Sequence, residues 1–265
     1  MSELFDFTVE NHIGVITVHR PPVNVWNQEI RVGIAEILES LNERTDVYCV
    51  ILRAEGKGFC GGIDVKEWGS PNKELIKNIP LTVSRVTSAF YNCRVPVIAA
   101  CHNFTIGIGF AVCTVCDFIV CEEDAYFQFP EINVGTVGGP FWLKRIFPDQ
   151  IARYYLLTGE KIPASVMQQY GAVVKVTPKG QALEGAMEIA KVIAKKYPAA
   201  AWTIKQIMNR GEKEVQDVID INDRMRKWGN EEVLAGDPNK AEMSTAFLEH
   251  REPVYDLNFL NKKEK

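Results

Sequence analysis

The sequence has no stretch of about 18 uninterrupted apolar residues, the length a membrane-crossing helix needs. It has no surplus of positive charge. Thirty lysines and arginines against 34 aspartates and glutamates leave a formal net charge of −4, so bulk charge does not favour nucleic acid or anionic lipid. The start, MSELFDFTVEN, is acidic and carries no apolar signal core. The seven cysteines are odd in number and scattered through apolar runs, which reads as reduced thiols in a core rather than a secreted disulfide framework. Cys113 and Cys116 form a CxxC pair with no second pair or histidine cluster at metal-ligand spacing, which argues against zinc. There is no low-complexity segment and no repeat. These absences leave an intracellular, cytoplasmic protein as the expectation, with no metal, no nucleic acid and no membrane as partner.

What is present is an ordinary globular composition: 265 residues, 46% hydrophobic and 24% charged. A chain of this length buries roughly 70–75% of its unfolded surface and needs no staples. β-branched runs at residues 13–19, 47–53, 95–101, 118–121 and 172–176 read as strands. Between them, helical periodicity covers residues 28–43, with Ile30, Ile34, Ile37, Leu38 and Leu41 in register, then 75–93, 107–116, 140–157 and 164–171. Strands alternating with helices point to βαβ units and a parallel sheet. After about residue 180 strand signals fade. Residues 181–197, 200–235 and 238–250 read as helices, one face carrying Leu183, Met187, Ala190 and Ala194, another Val215, Val218, Met225 and Trp228. The division expected is an α/β core over residues 1–198 and a helical region over 199–265 that makes subunit contacts.

Three segments are candidates for chemistry. GKGFCGGID (residues 56–64) holds four glycines, which allow a backbone to turn sharply and approach a ligand closely. Successive N–H groups in such a loop can bind an oxyanion, although no GK[ST] follows to make it a P-loop. Taken alone it reads more readily as a tight strand-to-helix connection. NFTIGIG (residues 103–109) runs from a strand into an apolar helix, whose N-terminus offers free N–H groups and a positive dipole end. In QFPEINVGTVGG (residues 128–139), Glu131 sits between Pro130 and an apolar run, where desolvation would raise its pKa and suit it to proton transfer. A lone glutamate is more commonly a helix cap or a surface residue.

Together, GKGFCGGIDVKEW (56–68), PVIAACHNFTIGIGFAVCTVCDFIV (96–120), and AYFQFPEINVGTVGG (125–139) followed by KRI and YYLLTGEKIPA resemble the crotonase (enoyl-CoA hydratase/isomerase) superfamily. The resemblance runs from RPPVN (20–24) to FLEHREPVY (247–255). It implies a crotonase (ClpP-like) α/β spiral of ββα units with C-terminal helices that form a trimer, or a hexamer as a dimer of trimers. It implies an acyl-CoA substrate, no cofactor beyond the coenzyme A of that substrate, and an oxyanion hole of two backbone N–H groups. Carried over by position, those donors fall on Gly61 and Ile108, each worth about 3–4 kcal/mol to a thioester enolate, with Glu131 as the acid–base carboxylate. The coenzyme A and acyl chain would lie against Val23, Asn24, Cys60, Gly62, Ile63, Asp64, Trp68, Gly107, Gly139 and Trp142. Arg20 and the tail lysines are candidates for the phosphates.

The departures narrow the chemistry. Hydratases of the best-known type hold water with two glutamates. Glu131 matches one of them, but Ala111 stands where the other belongs. Asn103 replaces a glycine, a mild change because Asn tolerates the left-handed region. Phe141 and Trp142 either reshape the acyl pocket or pack inward. His102 reads as a buried histidine held by backbone hydrogen bonds, Cys60 as a thiol without a partner base, Asp64 as a residue ordering its own loop, Asp117 as structural, and residues 122–124 as a solvated acidic turn. A single carboxylate suits enoyl-CoA isomerisation or a one-glutamate hydration. Alternatives that keep the enolate are acyl-CoA decarboxylation, C–C hydrolysis and C–C bond formation. A non-catalytic relative that binds acyl-CoA or RNA is a further alternative, against which Glu131 and the acidic charge argue.

Overall fold

A computed structural model describes residues 2–68 and 70–211, together with residues 239, 242, 245, 246 and 248–254. The chain opens with an antiparallel hairpin, β1 (Phe5–Glu10) and β2 (Ile13–Val18). Its two-residue turn holds Asn11 and His12 at φ 52° and 67°, the conformation that matches the twist of paired strands. Helix α1 (Gln28–Ser40) starts where the Asn27 side chain accepts the Ile30 N–H at 3.1 Å. Then follow β3 (Cys49–Ala54), the short α2 (Val65–Trp68), α3 (Lys73–Asn92), β4 (Val97–Cys101), β5 (Phe104–Ile106), α4 (Ile108–Val115), β6 (Phe118–Glu122) and β7 (Tyr126–Gln128). A 3-10 turn covers Glu131–Val134. The rest comprises α5 (Pro140–Ile146), α6 (Asp149–Thr158), β8 (Ile162–Pro163), α7 (Ala164–Gln169), β9 (Lys175–Thr177), α8 (Ala182–Ala194) and α9 (Pro198–Gly211).

Six strands form the main sheet in the order β1-β2-β3-β4-β6-β9, parallel from β2 onward. A parallel sheet has to be covered on both faces. On one face, Ala182, Ala186 and Ala190 of α8 lie on Ile13, Ile51, Ile98 and Val120. On the other, α1, α3 and α4 bury Ile30, Ile34, Leu38, Val86, Phe90 and Phe110. The apolar stripe seen at helical spacing in α1 is thus its docking face, and full burial of each such side chain contributes about 1.5–3 kcal/mol.

A second, thinner layer steps across the molecule beside the main sheet. Trp26 bridges Ile63, Cys60 bridges Thr105, and β5 pairs in parallel with β7, which carries β8 on its far side. Each turn of the chain therefore runs from a main-sheet strand through a strand or bridge of this layer into a helix. That is the spiral of ββα units expected from the sequence.

The differences from expectation have local causes. Residues 140–157 form two helices, because Pro148 forces Phe147 into extended backbone (ψ 151°). Strands β5, β7 and β8 are two or three residues long, too short for periodicity to register. Glu122 is not part of a solvated turn: it is buried and accepts the Gly180 N–H at 2.7 Å. Asp117 is structural as expected, accepting the Val97 N–H at 2.8 Å and the buried Lys205 ammonium of α9 at 2.7 Å. The face formed by Val215, Val218, Met225 and Trp228 lies outside the described residues, as do the tail lysines.

Replacement of the fully buried Ile34 by Ala tests the docking of α1. Ile34→Ala is expected to lower stability by about 2–5 kcal/mol, seen as a lower urea midpoint at unchanged slope. A loss below about 0.5 kcal/mol, the range of surface substitutions, would show that this face is not packed.

Candidate active site

The stepped layer brings the three glycine-rich segments to one place. Ile106 N–H donates to the Cys60 carbonyl at 2.8 Å, and Phe59 and Cys60 N–H both donate to the Phe104 carbonyl. Gly107 N–H donates to the Gln128 carbonyl at 3.0 Å, three residues before Glu131. Gly107 has φ 56° and ψ −117°, a conformation closed to side chains other than glycine at low cost. A methyl group there would stand 3.2 Å from Glu131 Oε1 and 3.6 Å from Gly62 Cα. The loop after β3, the start of α4 and the Glu131 carboxylate therefore meet around Gly107.

Which N–H groups face this point depends on who already holds the others. Trp26 N–H donates to the Gly62 carbonyl at 2.8 Å, and Asp64 N–H donates to the Trp26 carbonyl at 3.1 Å. In a parallel bridge the flanking residues make the bonds, so the Ile63 N–H is turned away from Trp26, to the side along which Ile106 and Gly107 run. Gly61 N–H, in contrast, donates to the Val23 carbonyl at 2.8 Å. The expectation of Gly61 as an oxyanion donor is thus corrected: its N–H is used in holding the loop to the Val23 segment. Ile63 and Ile108 N–H find no backbone acceptor among the described residues. Ile108 is the first residue of α4, whose first internal bond runs from Ala111 N–H to Gly107 carbonyl, so its N–H is one of the free donors at a positive helix end.

Glu131 opens the 3-10 turn and is half-buried. Gly138 passes so close that a methyl group on it would sit 2.6 Å from Glu131 Cγ and Cδ. The carboxylate is clamped between two glycine backbones, Gly107 and Gly138. The buried Ala111 lies one turn into α4 from Ile108 and offers only a methyl group.

Several other expected site residues turn out to build the loop. Asn24 (φ 51°) is fully buried, and its amide donates to the carbonyls of Glu55 and, at 2.8 Å, Gly58, while its oxygen accepts the Arg20 N–H at 2.9 Å. Its side chain is closed to a ligand. Asp64 is buried, accepts the Lys66 N–H at 3.0 Å and pairs with Arg20 at 2.5 Å. Burial pushes this carboxyl up, but Arg20 and the Lys66 N–H outweigh it and hold it below the usual carboxylate range. Arg20, which also donates to the Val25 carbonyl at 2.8 Å, is therefore committed to the loop and not free for a phosphate. The exposed cations here are Lys57 and Lys66. Gly139 packs against the Phe129 ring and Trp142 is buried in the main core, so neither lines a pocket. Trp68 ends α2, and its side chain lies outside the described residues.

Val23 is half-buried beside the loop, Gly62 is buried, and Cys60 is fully buried. Burial pushes the Cys60 thiol up to about 12, which removes it as a nucleophile. His102 is only half-buried, with Nε2 3.1 Å from the Gly56 carbonyl, a backbone contact of the kind expected. Gly56, Gly58 and Gly61 stand at GxGxxG spacing. The helix that follows, α2, has only four residues, so the dinucleotide-binding context of that motif is missing. No group of three His, Cys, Asp or Glu residues is arranged to hold a metal among the described residues. No described helix is long and apolar enough to cross a membrane.

Sequence reasoning missed a buried ion pair. Arg31 of α1 has no exposed side chain and lies 2.8 Å from Glu67 of α2, itself buried. Burial pulls the guanidinium below its ordinary value, opposed by Glu67, and it stays charged because arginine starts so high. The signal was in the sequence: a cation beside Ile30, Ile34, Ala35 and Leu38 on an apolar stripe.

The enoyl-CoA hydratase/isomerase family profile matches residues 8–258. A Mycobacterium tuberculosis protein named (7aS)-7a-methyl-1,5-dioxo-2,3,5,6,7,7a-hexahydro-1H-indene-carboxyl-CoA hydrolase is 32% identical over 203 residues, 76% of this chain and 82% of that one. The 2,3-dehydroadipyl-CoA hydratase of Escherichia coli K12 is 27% identical over 259 residues, 96% of this chain and 99% of that one. Among solved structures, an enoyl-CoA hydratase/isomerase from Pseudoalteromonas atlantica shares the fold with a TM-score of 0.84, covering 96% of this chain and 100% of that one at 22% identity.

Burial of all seven cysteines leads to a direct check on the thiol assignment. At pH 8, native protein is expected to release no colour with Ellman's reagent over minutes, and seven equivalents after unfolding in guanidinium. Rapid reaction of Cys60 in the native state would reopen it as a nucleophile.

Proposed function

The chain belongs to the enoyl-CoA hydratase/isomerase family, and we propose that it acts on an acyl-CoA thioester with Glu131 as its one acid–base carboxylate and the N–H groups of Ile63 and Ile108 as its oxyanion hole. The observation that carries this reading is the meeting of these three groups around Gly107, with Gly61 already bonded elsewhere. Glu131 removes a proton from a carbon conjugated to the thioester. The electron pair moves onto the thioester oxygen, where two fixed donors stabilise it without reorganising. The same carboxylic acid returns the proton at a second carbon of the enolate. No atom is gained or lost, so the net result is a shifted double bond.

Two-carboxylate hydration needs a second acceptor to hold water, and the Ala111 methyl group supplies none. That favours isomerisation, or a hydration in which Glu131 alone delivers water to C3 and the proton to C2. Exposed Lys57, whose N–H donates to the Pro22 carbonyl, and exposed Lys66 beside Asp64 suit the coenzyme A phosphates. Tyr197, just before α9, and Ile204, Ile207 and Met208 on it are all more than half exposed, large apolar side chains of the kind that mark subunit contact when they cluster. It supports assembly as a trimer or hexamer through the C-terminal helical region.

A second reading is favoured by the hydrolase name of the relative from Mycobacterium tuberculosis. In it, water adds to the β-carbonyl carbon of a β-oxoacyl-CoA and the C–C bond to the α-carbon breaks. The released electron pair becomes the thioester enolate, held by the same donors, and protonation there leaves a shortened acyl-CoA and a carboxylic acid. Both readings share the oxyanion hole and differ in product mass.

The deciding experiment incubates the protein with 2-enoyl-, 3-enoyl- and β-oxoacyl-CoA thioesters in D₂O and follows each by mass spectrometry. The expected result is deuterium gain at acyl carbons, reduced at least roughly 100-fold in Glu131→Gln, within the range for loss of a general base, with thioester binding retained. Full exchange in Glu131→Gln would overturn the role of Glu131. Light scattering after size exclusion is expected to give three or six chains per particle, falling toward one in Ile204→Asp/Ile207→Asp.

A further inference from the structure

Resting on the thioester reading above, we infer that Arg31 is a positioning residue of this site: its buried guanidinium holds the Trp26 carbonyl and thereby aims the Ile63 N–H at the substrate oxygen.

Three hydrogen bonds run outward from Arg31. Nε donates to Thr82 Oγ1 of α3 at 2.9 Å, Nη2 to Glu67 Oε2 at 2.8 Å, and Nη1 to the Trp26 carbonyl at 2.8 Å. The other carboxylate oxygen of Glu67 accepts the Gln28 N–H at 2.5 Å. One planar cation thus ties together α1, α2, α3 and the Trp26 bridge. The Trp26 carbonyl also accepts the Asp64 N–H, and Trp26 N–H donates to the Gly62 carbonyl. These are the two peptide groups on either side of Ile63. The Ile63 N–H lies in the Gly62–Ile63 peptide, so a tilt of the Trp26 carbonyl reaches it through the Asp64 N–H and the shared Ile63 Cα.

Stability alone does not explain the choice of residue. Burying a charge pair is costly, and an apolar pair of similar volume stabilises a fold as well or better. What an apolar side chain does not do is fix the direction of a carbonyl. A guanidinium does, because its donors are set in a rigid plane. The Trp26 carbonyl is the one acceptor of Arg31 that belongs to the bridge beside Ile63. Glu67 and Thr82 hold the fork at the angle that reaches it.

The test reads carbonyl polarisation directly. The probe is 4-(dimethylamino)cinnamoyl-CoA, a thioester whose absorption moves to the red when its carbonyl oxygen accepts strong hydrogen bonds. The wild-type protein is expected to shift it on binding. Arg31→Met is expected to bind the probe but lose at least half of the shift. Its kcat for deuterium exchange is expected to fall roughly 10- to 100-fold, the scale of an angstrom of misplacement. KM is expected to change less than about threefold, since only the transition state uses the oxyanion contact fully. Arg31→Lys, which keeps one donor for the Trp26 carbonyl, is expected to recover part of both.

Arg31→Met leaves Glu67 buried and alone, so Arg31→Met/Glu67→Gln, which has no buried charge, is measured beside it with circular dichroism and thermal melting as controls. A folded double variant that shifts the probe and exchanges as the wild type does overturns the assignment of Arg31 alone. A wild-type protein that does not shift the probe overturns the thioester reading, and the assignment with it.

Discussion

A backbone N–H donates one strong hydrogen bond, and an N–H used in pairing two segments is lost to a ligand. The site rests on that constraint. The thin second layer of bridges and short strands decides, peptide by peptide, which donors are used to assemble the spiral and which remain for chemistry. Gly61 is committed to Val23, Gly107 to Gln128, and Asp64 to Trp26. Ile63 is left because it sits at the centre of its bridge. Ile108 is left because a helix cannot bond its own first N–H groups. A pair of donors held by a folded scaffold needs no reorganisation when negative charge develops, which is why such donors stabilise an enolate more than water does.

The carboxylate is held by a related constraint of space. Glu131 lies between glycine backbones that come closer than any side chain allows. Its approach to Gly107 brings it to the same point as the two donors. The side chains around the loop act mostly as carpentry. Asn24 bonds three backbone groups, Arg20 and Asp64 neutralise each other across the turn, and Arg31 with Glu67 fixes the far side. Among the described residues around this loop, Arg20 and Arg31 are thus paired, and Lys57 and Lys66 are exposed.

The longer elements are legible in the residue pattern alone. The stripe of α1 announces itself through periodicity, because one face is buried, and the runs of β2, β3, β4 and β6 and the helix α4 through nearly continuous apolar residues, because they are covered on both faces or on all sides. Strands β5, β7 and β8 do not. Their pairing is with residues far along the chain, and two or three residues carry no period. The candidate carboxylate is legible because Pro130 and the glycines around it form a pattern. Trp142 misleads because an aromatic residue reads the same in a core as in a pocket.

The sequence by itself determined the family, the alternating α/β order, the glycine positions that permit close approach, and the identity of Glu131 and Ala111, since these are matters of residue type and spacing. Only the tertiary structure decided that Ile63 rather than Gly61 keeps a free N–H, that Arg20 is unavailable, and that Arg31 meets a carboxylate 36 residues away. The physical reason is the same in each case. Whether a polar group is free is a property of its partners, and those partners are brought from distant parts of the chain by the packing of the two layers.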